Sequence, residues 1–79
     1  MQIEVRYFAS LRDASMMEME QIKTSAKTVS ELFDELNARH TFTIDKKYLR
    51  ASRDGAYIEL DTPLNETDSI TFIPPISGG

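Results

Sequence analysis

One segment of the sequence, TVSELFDELNARH at residues 28–40, has the clear periodicity of an α-helix. Its apolar side chains recur at positions i, i+3, i+4 and i+7, which places them on a single stripe; they are Val29, Leu32, Phe33 and Leu36. Thr28 precedes Glu31 at the spacing of a capping box, so we expect the helix to begin there. One such helix in a chain of 79 residues can cover one face of a small sheet, which predicts an α+β fold.

The segment QIEVRYF, near the start of the chain, alternates apolar and polar residues as a half-buried strand does. One face carries Ile3, Val5 and Tyr7, which we expect to pack beneath the helix. Phe8 then points to the opposite face. The polar residues 9–15 are expected to form a turn or a single helical turn.

The segment MMEMEQI alternates in the same way and is predicted to form the second strand. On this pattern Met17 and Met19 face the core, whereas Glu18 and Glu20 lie on the solvent face. Further strands are predicted in LRAS, AYIEL and ITFIPP, with a hairpin turn at the DG pair between the first two. The expected architecture is a mixed sheet of four to five strands with one main helix packed on one face.

Charge and composition argue against several classes of function. The net charge is -4, and the basic residues are scattered, so we expect no nucleic-acid surface. The chain has no cysteine, and its carboxylates lack the spacing of a metal site, so no bound metal or cofactor is expected. The single histidine, His40, is expected at the surface, where its charge suits the end of the helix.

The same composition bears on location. The first ten residues carry charges at Glu4 and Arg6, which is not typical of a signal peptide. No apolar run approaches the ~20 residues that a membrane span needs. With no disulfides available, these features predict a cytoplasmic protein that does not bind a membrane.

The ending PPISGG is the strongest candidate for a functional feature. Pro74 and Pro75 fix φ near ~-65° and favour an extended exit from the last strand. Gly78 and Gly79 lack a Cβ, so their backbone can enter a slot that other residues would block. We expect residues 74–79 to form a tail that presents the Gly79 carboxylate to another protein. A frayed end without a function is the alternative.

Face parity predicts an apolar patch beside this tail. If Ile70 and Phe72 pack inward, Ile73 points outward, as Phe8 does on the first strand. If the first and last strands are neighbours, Phe8 and Ile73 form an exposed patch of the kind that marks a partner surface. A second, minor core beneath residues 9–15 is the alternative.

Several segments resemble one known family over essentially the whole chain: YFASLRD, TVSELFDEL and, above all, LDTPLNETDSITFIPPISGG. The family is the small, sulfur-carrier subunit of molybdopterin synthase, of the MoaD/ThiS type. The resemblance implies a ubiquitin-like β-grasp fold and a single domain over residues 1–79. Two stretches depart from the family's usual residues: NETDS, with Thr67 where glycine is common, and ASRDG, where an asparagine is common. Both departures concern turn geometry.

The resemblance also implies a function in molybdenum cofactor biosynthesis. Gly79 would be the catalytic residue, because a ubiquitin-activating-like adenylyltransferase would use ATP to adenylate its carboxylate. A persulfide would convert it to a thiocarboxylate, which would donate sulfur to cyclic pyranopterin monophosphate in the large subunit. Gly78 would give the tail access to that pocket. The partner in a 2:2 heterotetramer would be bound by Phe8, Ile73, Pro74, Pro75, Ile76 and Ser77.

Three other functions remain open from the sequence. The chain resembles sulfur carriers of the same fold that serve thiazole, cysteine or tRNA thiolation. It could be a ubiquitin-like modifier joined to lysines through Gly79. It could also be a plain binding module that uses Phe8 and Ile73. In none of these readings is the chain an enzyme on its own.

Overall fold

The computed structural model describes residues 1–75, which form a five-stranded sheet, two α-helices and a short 3-10 helix. The elements in chain order are β1 (Gln2–Tyr7), α1 (Ala9–Ser15), β2 (Met19–Lys23), α2 (Val29–His40), the 3-10 helix (Lys46–Tyr48), β3 (Arg50–Arg53), β4 (Ala56–Ile58) and β5 (Ser69–Ile73). The strands lie in the order β2-β1-β5-β3-β4, with β1 and β5 parallel and every other pair antiparallel. The predicted α+β class and mixed sheet are therefore confirmed.

Helix α2 supplies the apolar stripe that the sequence predicted. Its four stripe residues are buried, and they share one core with the inward-facing residues of β1, β3 and β5. The Phe33 ring lies against Phe72 of β5, with ring centroids 5.4 Å apart. The helix begins as predicted, because the Thr28 side chain accepts a hydrogen bond from the Glu31 amide at 3.2 Å.

The predicted inner face of β2 is wrong. The strand pairs with β1 so that Ile22 lies opposite Ile3, and this pairing turns the even-numbered residues of β2 toward the core. Met17 and Met19 are consequently 37% and 43% exposed. Glu20, expected on the solvent face, lies opposite the buried Val5 instead. The segment places methionines on one face and Ile22 on the other, so either face could be buried. Only the pairing with β1 decides which face packs against the core.

Residues 9–15 form the seven-residue helix α1, which is longer than the single turn expected. Leu11 anchors it, because this side chain is buried in the main core. The helix ends at Met16, which adopts the left-handed conformation with φ 62° and leaves its side chain in solvent.

Two turns hold residues in the left-handed region. Asp54 and Gly55 have φ of 55° and 82° between β3 and β4, which confirms the predicted hairpin and fits a turn with both central residues at positive φ. Thr67, just before β5, has φ of 66°. A β-branched residue is strained there, and glycine is not.

Replacing Thr67 with glycine is expected to raise the free energy of unfolding by about 0.5–1 kcal/mol. Left-handed backbone costs a residue with a Cβ ~1–2 kcal/mol, and glycine relieves this strain. The extra freedom of glycine in the unfolded chain cancels part of that stabilisation. The amide of Thr67, which donates to the Gln2 carbonyl, is retained in the variant. Urea denaturation of the full chain measures the change as a shift of midpoint at constant slope.

Thr43→Gly is the matched control, because Thr43 is exposed and has no positive φ. This variant is expected to lose ~0.5–1 kcal/mol, as glycine does at an ordinary backbone position. If both variants were destabilised equally, strain at Thr67 would be contradicted.

Candidate functional site

The first and last strands, β1 and β5, finish next to each other at one end of the sheet. Because β1 and β5 are parallel and Tyr7 lies opposite Phe72, the next residues, Phe8 and Ile73, lie side by side where the two strands end. Phe72 is fully buried, whereas Phe8 is 54% exposed and Ile73 is half-buried. The predicted outward orientation of Phe8 and Ile73 is confirmed, and α1 does not enclose Phe8 in a second core.

We call Ile73, Pro74 and Pro75 the tail root. Pro74 is buried and Pro75 is exposed, so the chain reaches the surface at Pro75. The remaining predicted site residues, Ile76, Ser77, Gly78 and Gly79, lie outside the described residues. Their roles stay predictions.

The tail root continues into a surface that sequence reasoning missed. On the outer face of the sheet Arg50 of β3 lies opposite Ile73. Tyr57 of the edge strand β4 is 73% exposed and Tyr48 is 54% exposed. Strand register brings Arg50 and Tyr57 to the tail root, and the 3-10 helix before β3 brings Tyr48, although all three are 16 to 25 positions away from Ile73 in the chain. No local motif in the sequence signals them.

A polar cluster lies at the same end of the sheet, beside Tyr7, the last residue of β1. Its phenol donates a short hydrogen bond to the Glu20 carboxylate, which also contacts the His40 ring nitrogen at 2.8 Å. Arg39 reaches the other carboxylate oxygen at 3.3 Å. The surface position predicted for His40 is wrong, because its side chain is 11% exposed and packs against the rings of Tyr7 and Phe42.

The partners of Glu20 set its charge. Burial by itself raises the pKa of the Glu20 carboxyl, but the hydrogen bonds from Tyr7 and His40 and the charge on Arg39 outweigh it, so the pKa lies below its ordinary value. Burial, followed by the hydrogen bond to Glu20, raises the pKa of Tyr7 well above its ordinary range. At neutral pH the cluster therefore holds a carboxylate and a protonated phenol.

Aromatic contacts link this cluster to the residue before the tail root. Tyr7 packs against Phe42, and Phe42 stacks on Phe33, which in turn contacts Phe72, the residue before the tail root. The chain of contacts ties the end of β1 to the end of β5. Sequence reasoning missed it because Glu20 was placed on the wrong face of its strand.

The described residues contain neither a metal site nor a membrane-spanning helix. No group of three or more histidine, aspartate or glutamate side chains within residues 1–75 is placed to hold a metal ion. No helix in that part of the chain is both long and apolar enough to cross a membrane.

Comparison with known proteins defines the class first. SAMP1 from Haloferax volcanii superimposes with a TM-score of 0.78 at 20% identity, and the match covers 100% of both chains. This likeness establishes the ubiquitin-like β-grasp fold that the sequence resemblance implied.

The family follows from the sequence. Residues 5–79 match the ThiS family, and the chain belongs to it. The molybdopterin synthase sulfur carrier subunit of Escherichia coli K12 is 26% identical over 98% of this chain and 99% of its own length. A chain in the complex of subunits 1 and 2 of the molybdopterin-converting factor from Helicobacter pylori is 29% identical, with a TM-score of 0.68 and 100% of both chains covered. The protein is thus a sulfur carrier of the ThiS/MoaD type.

Proposed function

We propose that this sulfur carrier is the small subunit of a molybdopterin synthase and that the Gly79 carboxylate is where sulfur is attached. The observation that carries the proposal is the full-length similarity to a molybdopterin synthase sulfur carrier subunit, together with a family match that runs through Gly79. The position of the tail root supports the proposal, because β5 ends beside the exposed Phe8.

The proposed chemistry begins with activation of the terminal carboxylate. A carboxylate resists nucleophiles because its negative charge is shared over both oxygens. An adenylyltransferase joins one oxygen to the α-phosphate of ATP, and pyrophosphate leaves. The acyl carbon of Gly79 then carries AMP, which is a good leaving group.

Sulfur enters by displacement of AMP. The terminal sulfur of a donor persulfide attacks the acyl carbon, AMP departs, and an acyl disulfide forms. A thiol then attacks the donor's sulfur, so that the S–S bond breaks and both electrons stay on the sulfur attached to Gly79. The product is a thiocarboxylate, whose soft, charged sulfur is a better nucleophile than the carboxylate oxygen.

Delivery requires a second protein. On this proposal the large subunit holds cyclic pyranopterin monophosphate together with the acids and bases of the reaction, and two carriers in turn supply the two sulfurs of the dithiolene. The slim Gly78-Gly79 tip enters its pocket, while Phe8, Ile73 and Pro75 contact its surface. Support for this partner comes from the Helicobacter pylori relative, which was determined as a complex of subunits 1 and 2. A 2:2 assembly and a cytoplasmic location are part of the proposal.

Intact-mass spectrometry tests the proposal. The purified chain is incubated with an adenylyltransferase of a molybdopterin pathway, ATP and a persulfide donor, and the large subunit and precursor are then added. We expect one oxygen-to-sulfur exchange at Gly79, followed by its loss as the precursor gains sulfur. An unchanged terminus would contradict a carrier. A loaded terminus that leaves the precursor unchanged would point to another thiolation pathway, and bonds from Gly79 to lysines of other proteins would indicate a modifier.

A further inference from the structure

A hollow of about 300 Å³ opens beside the tail root on the outer face of the sheet. We call it the Arg50 hollow; it is lined by Tyr48, Arg50, Tyr57, Ile73, Pro74 and Pro75. Its walls are aromatic and aliphatic, and Arg50 is the one charged residue among them. Helix α2 packs on the opposite face of the sheet, so no described element covers this side.

Arg50 differs from the other arginines of the chain. Each of the other four has a carboxylate within 4 Å in residues 1–75; they are Arg6, Arg12, Arg39 and Arg53. Arg50 has none in that part of the chain, where its guanidinium donates one hydrogen bond, to the Leu49 carbonyl at 3.5 Å. In a protein with 13 acidic and 9 basic residues, an arginine without a carboxylate partner among residues 1–75 is the exception.

The neighbourhood of Arg50 limits what can bind there. An adjoining, larger hollow shares Arg50 and Tyr57 and adds two lysines, Lys46 and Lys47, and two carboxylates, Glu59 and Asp61. These added charges balance, and each lysine already has a carboxylate within 4 Å, so Arg50 is the arginine that one carboxylate of a partner can pair with. Tyrosine and arginine side chains in a partly apolar hollow are also the composition of an interface anchor site.

We infer that the Arg50 hollow receives a segment of the large subunit in which one aspartate or glutamate pairs with Arg50. The adjacent apolar side chain of that segment packs against Tyr57 and Tyr48. The inference rests on the proposed function, which supplies the partner. It adds the chemistry of the partner segment and the residue of this chain that recognises it.

Such a pair would also orient the tail. A guanidinium and a carboxylate bind through two parallel hydrogen bonds, which fix direction as well as distance. Arg50 lies directly opposite Ile73, so an anchor on Arg50 fixes the carrier one residue before the tail leaves the sheet. The contact therefore sets where residues 74–79 begin relative to the partner's pocket.

Calorimetry with the purified large subunit tests the inference, using the unloaded full-length carrier. Arg50→Met keeps the length of the side chain and removes its charge, and we expect the dissociation constant to rise at least about tenfold. Lys23→Met is the matched control, because Lys23 is exposed on β2 at the far edge of the sheet and has no ion pair within residues 1–75. It loses the same charge, and we expect less than about a twofold change.

The partner segment is identified by placing the photo-crosslinker p-benzoylphenylalanine at Tyr57. The crosslinked peptide of the large subunit is expected to contain an aspartate or glutamate beside an apolar residue. Replacing that acid with arginine should restore binding to the Arg50→Glu carrier. A crosslinked segment without an acidic residue, or equal binding by the Arg50→Met and Lys23→Met variants, would overturn the inference.

Intact-mass loading separates this inference from the proposed function. If the wild-type chain gains sulfur and transfers it while Arg50→Met binds normally, the inference alone fails. If the wild-type chain does not bind the large subunit at all, both fail. Urea midpoints of the two variants are measured alongside, and we expect both to match wild type, because neither side chain is buried.

Discussion

Replacing Gly79 with alanine is expected to reduce sulfur delivery to the large subunit at least about a hundredfold, because small displacements at a reacting centre cost this much. The added Cβ is attached next to the acyl carbon, where AMP, the persulfide and the pterin must all approach in turn. It also widens the tip that enters the partner's pocket. Stability should be unchanged, because the core is formed by residues 3–72. Single-turnover conversion of the precursor and urea denaturation measure the two effects separately.

Gly55→Ala is the matched control for this substitution. Gly55 has φ of 82°, and no atom lies within 4 Å of the position where a Cβ would be added. Alanine there is expected to cost ~1–2 kcal/mol of stability through backbone strain and to leave transfer by the folded protein unchanged. The Gly79 variant should therefore lose sulfur transfer and keep its stability, whereas the Gly55 variant should lose stability and keep transfer. A Gly79→Ala carrier that converts the precursor at the wild-type rate would sink the assignment of Gly79.

The parts of the fold that the sequence predicted are those with a single apolar face. Helix α2 has one stripe, and β1 alternates with Ile3 and Val5 on the buried side, so local periodicity was sufficient for both. The segment of β2 places methionines on one face and glutamates with Ile22 on the other. Its orientation is decided by the pairing of Ile22 with Ile3, which is a long-range contact and leaves no local signal.

The same distinction applies to the candidate site: residues placed by local alternation could be predicted, and residues placed by long-range contacts could not. Phe8 and Ile73 could be predicted by counting residues along two strands, and their outward orientation is confirmed. Arg50 could not, because its place beside the tail root depends on the register of β3 against β5. His40 was assigned to the surface because the end of a helix suits a charged histidine. The structure instead packs it between aromatic rings, where Glu20 provides its polar partner.

Replacing Glu20 with alanine is expected to lower the free energy of unfolding by about 1–3 kcal/mol, as losing the partner of buried polar groups does. The carboxylate accepts hydrogen bonds from Tyr7 and Arg39 and contacts His40, and its side chain is 13% exposed. Without it, the phenol and imidazole face an apolar cluster that offers them no acceptor. Glu18→Ala is the matched control, because Glu18 is 83% exposed and 3.7 Å from Arg12. It should change stability by less than about 1 kcal/mol.

The stabilisation from Glu20 should also depend on pH in a defined direction. Since its pKa is lower in the folded protein than the ordinary value of 4.5, the unfolded chain takes up a proton first as the solution is acidified. The contribution is therefore complete above pH ~4.5 and declines as the pH falls through the folded pKa. Urea denaturation of the wild type and Glu20→Ala at pH 7, 5, 4 and 3 should show the gap between them narrowing in acid. A gap that widened in acid, or a Glu20→Ala variant as stable at pH 7 as Glu18→Ala, would show that the carboxylate does not hold the cluster together.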